Sequence, residues 1–162
     1  MKSVTMWCVL LALLLAACGE GERSEVGVLV GTVTMEDVYR TCPGFRRTSE
    51  QYDPNEDIVQ KLRVLDRRIT FVVFLGTWCS DSEEHVPPFE RLMTAVSNPN
   101  FRVEYYGVDR QKNDGLGLAE RFGITYVPTF ILFEEGREIG RIVERPTVSI
   151  GVDVLDIIEG KE

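Results

Sequence analysis

Hydrophobic positions along the chain fall into runs of different period, and those periods predict its elements. Residues 69–75, Ile-Thr-Phe-Val-Val-Phe-Leu, are apolar almost throughout, as in a central strand buried on both faces. Beyond them Phe89, Leu92, Met93 and Val96 share one side of a helix, which the spacing predicts over 80–96. A strand is predicted over 101–108, a short helix over 116–122 closed by Gly123, and another strand over 129–133. Glu134-Glu135-Gly136-Arg137 reads as a hairpin turn into a strand over 138–143, and a last helix covers 152–158. Alternating strands and helices with a terminal hairpin imply an α/β fold, a mixed sheet covered by helices on both faces.

Upstream the pattern is weaker. Residues 26–33 suit a first strand, and Thr34 can cap a short helix, with the acid Asp37 three residues on, that Cys42-Pro43-Gly44 ends. Asp53 can cap a further helix with Pro54 at its first position, and Ile58, Val59, Leu62 and Leu65 carry it to about Asp66. The beginning of the chain reads as a leader: Lys2 supplies a positive charge, and the apolar run over 9–17 falls short of the roughly 20 residues a membrane span needs. It closes on Leu15-Ala16-Ala17-Cys18, which resembles the bacterial lipobox. That resemblance implies cleavage before Cys18, acylation of its thiol, and attachment to a membrane of the bacterial cell envelope, facing an extracytoplasmic compartment. The alternative is an ordinary secretory signal cut after Ala17, which leaves Cys18 a free thiol. The expected organisation is a signal peptide over 1–17, a lipid-attached tether and candidate first strand over 18–33, and a folded domain over 34–162.

Length and composition narrow the function. A chain of 162 residues with 44% hydrophobic content builds one ordinary core. Its 18 Lys and Arg against 26 Asp and Glu give a formal net charge of -8, and losing the leader removes Lys2 but no acid. The longest basic clusters are the pairs Arg46-Arg47 and Arg67-Arg68, so no nucleic-acid partner is expected.

The candidate chemistry is Cys79, in Gly76-Thr77-Trp78-Cys79-Ser80-Asp81-Ser82. It follows the buried strand and opens the next helix, where unpaired N–H groups and the positive end of the helix dipole stabilise thiolate over thiol. Ser82, one turn on, can offer its hydroxyl to that thiolate. Asp81 either opposes the thiolate as a neighbouring negative charge or serves only to stabilise the helix start. His85, the one histidine, lies off the helical face of Cys79 and is expected to be an exposed helix residue, neither base nor metal ligand. No metal or cofactor is expected. Cys42 has two readings, a thiol that resolves an oxidised Cys79 across the fold or a small residue filling space in a turn.

Trp78-Cys79 at a helix start after a strand, Val127-Pro128 before a strand, and Glu134-Glu135-Gly136-Arg137 in a final hairpin together resemble the thioredoxin superfamily. The resemblance covers about residues 58–159. It implies the three-layer thioredoxin-like sandwich, a cis Val127-Pro128 peptide close to Cys79, and a helix kinked at Pro87. It also implies a groove in which Trp78 shields the sulfur while Val127 and Pro128 hold extended substrate backbone. Two positions depart from the family: its second cysteine is Ser82 here, and its buried acid six residues before the first cysteine is Val73. The stretch is similar to a WCxDS group of bacterial, often lipid-anchored thioredoxin-like proteins. The expected function is a membrane-anchored thiol oxidoreductase that forms mixed disulfides with client protein thiols or disulfides, resolved by Cys42, a client thiol or a small thiol. The alternative is a redox-inactive module that holds a peptide or protein partner in the same groove.

Overall fold

Apolar side chains on both faces of β2 (Ile69–Leu75) place it at the centre of the sheet. The computed structural model describes residues 27–161, so the leader, Cys18 and the start of the tether lie outside the described residues. The five-stranded sheet has the order β1-β3-β2-β4-β5, with β1 (Gly31–Val33), β3 (Phe101–Gly107), β4 (Thr129–Glu134) and β5 (Arg137–Val143). β3 runs parallel to β2, while β4 is antiparallel to it and pairs Phe74 with Thr129. The helices are α1 (Met35–Thr41), α2 (Pro43–Gln51), α3 (Glu56–Arg63), α4 (Ser80–Val96), α5 (Leu118–Arg121) and α6 (Ile150–Glu159).

The alternation of β2 divides the core. Phe71, Val73 and Leu75 share one cluster with Phe130, Leu132 and buried residues of α1, α2, α3, α4 and α6. Phe71 meets Phe89 and Phe101 edge-on, each at 5.4 Å between ring centroids. Val72, Phe74 and Ile131 face the other side, covered by Ala119 of α5 and by Val108, Ile124 and Val127 from connecting segments. Helices therefore lie on both faces, as expected, but the cover is unequal.

α4 begins and ends at the predicted residues. It runs through Pro87 and Pro88, neither of which can donate a hydrogen bond back along the helix, and stops where Ser97 adopts φ 47. Three upstream expectations need correction. α2 was not expected, because Cys42-Pro43-Gly44 reads as a break; the break is real for α1, yet Pro43 fits the first position of the next helix. The cap of α3 is Asn55 rather than Asp53, its side chain accepting the Ile58 N–H at 3.1 Å. The first strand is limited to Gly31–Val33. The Thr34 cap is present, accepting the Asp37 N–H at 3.1 Å.

Two features hold the upstream segments against the site helix. The Tyr39 hydroxyl of α1 donates to Glu90 of α4 at 3.1 Å and shares a hydrogen bond with Ser49 of α2 at 3.2 Å. Burial, chiefly, pushes the Tyr39 phenol up to about 12, so it keeps the proton this node uses. Gly107, opposite Gly31, lets the segment entering β1 cross closely: a Cβ there would lie 2.3 Å from the Leu29 carbonyl oxygen. Gly107→Ala is expected to displace that segment and lower stability by about 1–3 kcal/mol, measured by urea unfolding. An unchanged midpoint would show that the close approach is not needed.

Candidate active site

The chain leaves β2 at Leu75 and turns tightly, Cys79 donating its N–H to the Gly76 carbonyl at 2.9 Å. Cys79 is the residue before α4, with extended backbone at φ -103 and ψ 126, and its carbonyl accepts the Glu83 N–H at 3.0 Å. Its thiol stands at the amino end of the 17-residue helix and donates to the Val127 carbonyl at 3.2 Å. The Val127-Pro128 peptide is cis, and the Pro128 carbonyl accepts the Glu144 N–H at 2.7 Å, which fastens this loop to the end of β5. Two segments distant in sequence thus meet at the sulfur, as the family resemblance implies.

Trp78 is half-buried beside it. The indole Nε1 donates to the Val108 carbonyl at 2.9 Å, and the ring lies over Gly76 so closely that a Cβ there would fall 2.7 Å from Cε2. Glycine at position 76 is therefore what admits the tryptophan.

A family model described as Thioredoxin matches residues 34–152. The chain belongs to the thioredoxin family. A thioredoxin from Chlamydia caviae is 29% identical over 75 residues, which are 46% of this chain and 68% of that protein. A thioredoxin-like protein from Fusarium culmorum is 32% identical over 82 residues, covering 49% of this chain and 64% of that one. Among solved structures, a protein of unknown function from Pseudomonas aeruginosa has a TM-score of 0.55 at 21% identity, covering 78% of this chain and 84% of its own. An HIV epitope-scaffold has a TM-score of 0.56 at 21% identity, with 79% and 86% covered. These structural likenesses concern the fold alone; the family match identifies it as the thioredoxin sandwich.

Against that family frame the substituted positions have definite surroundings. Ser82 is completely buried, and its Oγ accepts the Gly76 N–H at 3.1 Å. The hydrogen bond shown for Ser82 thus goes to the turn rather than to the sulfur. Val73 is completely buried in β2, so apolar packing fills the place of the family's acid. Asp81 pairs with Arg145 at 3.1 Å, joining the first turn of α4 to the segment after β5. That pairing favours its structural reading. His85 corrects its expectation: its side chain is only 15% exposed, and Nε2 is buried without a hydrogen-bond partner among the described residues. The reason is helical geometry, since His85 lies beside the buried stripe of Ser82, Val86 and Phe89.

Cys42 is brought to the same turn from the junction of α1 and α2. Its thiol points at the Gly27 carbonyl at 3.6 Å and the Thr77 carbonyl at 3.8 Å. Thr77 in turn donates its hydroxyl to Gly27 at 2.5 Å and accepts the Leu29 N–H at 3.1 Å. Cys42 and Cys79 are both free thiols. Among the described residues no group of three or more His, Cys, Asp or Glu could hold a metal ion.

Sequence reasoning passed over Gly76, Thr77, Arg145 and two cations at the indole, Arg110 at 5.1 Å and Lys112 at 5.2 Å from the Trp78 ring centroid. Only Gly76 carried a signal, as a glycine just after a buried strand.

Burial pushes the Cys42 thiol up and the Glu83 charge adds to this, with the Thr77 side chain opposing. A raised thiol supplies little thiolate at neutral pH and more as pH rises. Iodoacetamide labelling of Cys42, followed by peptide mass mapping from pH 7 to 11, is expected to reach half its maximal rate above the roughly 8.5 of a free cysteine. A midpoint below that value would contradict this environment.

Proposed function

We propose that this chain is a membrane-anchored monothiol member of the thioredoxin family, acting through mixed disulfides on Cys79 with client proteins of the bacterial cell envelope. One observation carries the reading: the Cys79 thiol opens α4 and lies 3.2 Å from the Val127 carbonyl, against a cis proline. The relatives' shared name supports thiol redox chemistry, and the family membership supports reading this groove as its place.

The reaction is thiol–disulfide exchange. The Cys79 thiolate attacks one sulfur of a client disulfide; a Cys79–client S–S bond forms, the client S–S bond breaks, and the departing sulfur leaves as thiolate and takes a proton from water. Trp78 covers one side of the reacting sulfur. The client backbone lies extended along Val127 and Pro128, where a main-chain hydrogen bond fixes register. Ser82 cannot displace a sulfur, so the motif has no release step of its own. Release falls to Cys42, a second client thiol or a small thiol; burial pushes the thiol of the half-buried Cys42 up, which disfavours it as a nucleophile at neutral pH.

The isolated domain is expected to reduce insulin disulfides poorly and to accumulate Cys79-linked adducts when offered a disulfide substrate, seen by intact mass. Ser82→Cys restores two cysteines at family spacing and is expected to raise insulin reduction, incompletely because Val73 supplies no proton acceptor. If wild type forms no adduct and Cys79 alkylates no faster than an ordinary thiol, the redox reading fails and a peptide-binding module takes its place.

Anchoring rests on Leu15-Ala16-Ala17-Cys18. Expressed in a bacterium fed a labelled fatty acid, the protein is expected to take up label and partition with membranes, and Cys18→Ala to lose both. Label that persists in Cys18→Ala removes the lipobox reading.

A further inference from the structure

A closed ring of contacts runs through the candidate sulfur. The Cys79 thiol donates to the Val127 carbonyl at 3.2 Å, and the carbonyl of the next residue, Pro128, accepts the Glu144 N–H at 2.7 Å. Arg145 follows Glu144 and donates from Nη2 to Asp81 at 3.1 Å, and Asp81 lies two residues beyond Cys79. Three contacts and three short stretches of chain thus return to the starting residue. The dipeptide Glu144-Arg145 touches both halves of the site, the proline loop with its backbone and the first turn of α4 with a side chain. Its path is sharply bent: Glu144 takes the left-handed conformation at φ 60, which a residue with a Cβ adopts reluctantly, and the Arg145 N–H donates to the Val143 carbonyl at 2.7 Å. That bend lets adjacent residues reach two different segments.

The ring also decides how one negative charge is met. Two residues of chain span at most about 7 Å, so the backbone of Asp81 is no farther than that from the backbone of Cys79. The Asp81 side chain is only 20% exposed, so water screens its carboxylate poorly. An unpaired carboxylate two residues from the sulfur would oppose the thiolate that attack requires. Arg145 supplies the opposite charge in direct contact, from a side chain that is itself 72% exposed and can be exchanged without opening the core. Glu83, the other acid of the first turn, acts on Cys42 and lies against Gly44 of α2.

We propose that Arg145 is a positioning residue of the thiol–disulfide exchange, neutralising Asp81 and thereby sustaining the nucleophilicity of Cys79. The inference rests on the mixed-disulfide reading and adds a residue on which its nucleophile depends. Arg145 enters none of the bond changes and acts on Cys79 only through Asp81. The two halves of this ion pair therefore have opposite effects. Removing Arg145 leaves a carboxylate unmatched near the sulfur, whereas removing Asp81 leaves no negative charge there to be matched.

The test measures alkylation of Cys79 by iodoacetamide, an uncharged probe, in the full chain at neutral pH. Peptide mapping separates the cysteines, and β-mercaptoethanol is the reference thiol. Arg145→Gln is expected to slow Cys79 by about threefold to tenfold. Asp81→Asn is expected to be no slower than wild type, and Asp81→Asn/Arg145→Gln to recover to within about twofold of wild type. Arg145→Lys, which keeps the charge, is expected to stay within about the same twofold. A wild-type rate in Arg145→Gln overturns the proposal and leaves the mixed-disulfide reading standing. So does a double variant as slow as Arg145→Gln, since that marks a clamp between two segments rather than a matched charge. Should Arg145→Gln fail to fold, Asp81→Asn decides alone: it breaks the same ion pair without leaving a negative charge, and a slower Cys79 there overturns the proposal. If wild-type Cys79 reacts no faster than the reference thiol, the mixed-disulfide reading and this one fall together.

Discussion

Everything at the site hangs from the burial of β2 on both faces. Its residues divide between the two core clusters, and β3 and β4 satisfy its backbone on either side, so it is fixed in register and in depth. The turn at its carboxyl end inherits that rigidity. Trp78 and Cys79 pack toward the cluster under α5, while Ser82 and Val86 enter the interior of the fold with the buried stripe of α4. The thiol therefore sits at the seam between the two layers. A strand buried on one face alone would leave one wall of that seam unsupported.

Ser82 shows how the architecture survives the loss of a cysteine. The position is sealed from solvent, and its oxygen satisfies the Gly76 N–H, a buried donor that would otherwise cost about 1–3 kcal/mol. Serine is well suited to that task, since hydroxyl oxygen is a stronger acceptor than a thiol sulfur. Val73 completes the change: with no second thiol to deprotonate, a buried carboxylate beneath it would carry a desolvation cost and have no proton to receive. The two departures from the family are thus physically consistent: where the second thiol is a serine, the strand beneath carries valine in place of the acid.

Periodicity made legible what depends on large, repeated apolar contacts. β2, α4 and the terminal hairpin lie at or within a residue or so of the expected bounds because burial dictates their side chains. The cis peptide before β4 was legible by family resemblance, not by physics. α2 was hidden because one proline ends a helix and begins the next, and the local pattern does not say which role prevails. The cap of α3 falls at Asn55, two residues past the expected Asp53, and the two residue types cap about equally well, so propensity does not separate them. Contacts between distant loops left no trace. Nothing near Thr77 signals Gly27, and nothing near Trp78 signals Arg110 or Lys112, since each contact joins ordinary surface residues that only the finished fold brings together.

Charge placement follows the same logic of closure. A carboxylate beside a cysteine disfavours its thiolate, so in an acidic chain it matters where the acids near Cys79 face. Here three acids of the adjoining turns are engaged elsewhere. Asp81 is paired with Arg145, Asp109 accepts two N–H groups of its own loop, and the buried Asp114 accepts those of Leu116, Gly117 and Leu118 at the start of α5. Those bonds satisfy backbone groups that the turns would otherwise leave open, so the acids that shape the loops are the ones whose charge is turned away from the site. The turn after β3 brings Arg110 and Lys112 over the Trp78 ring. Loop geometry and local electrostatics are in this way a single design, and a substitution that opened the Asp109 turn would alter both at once.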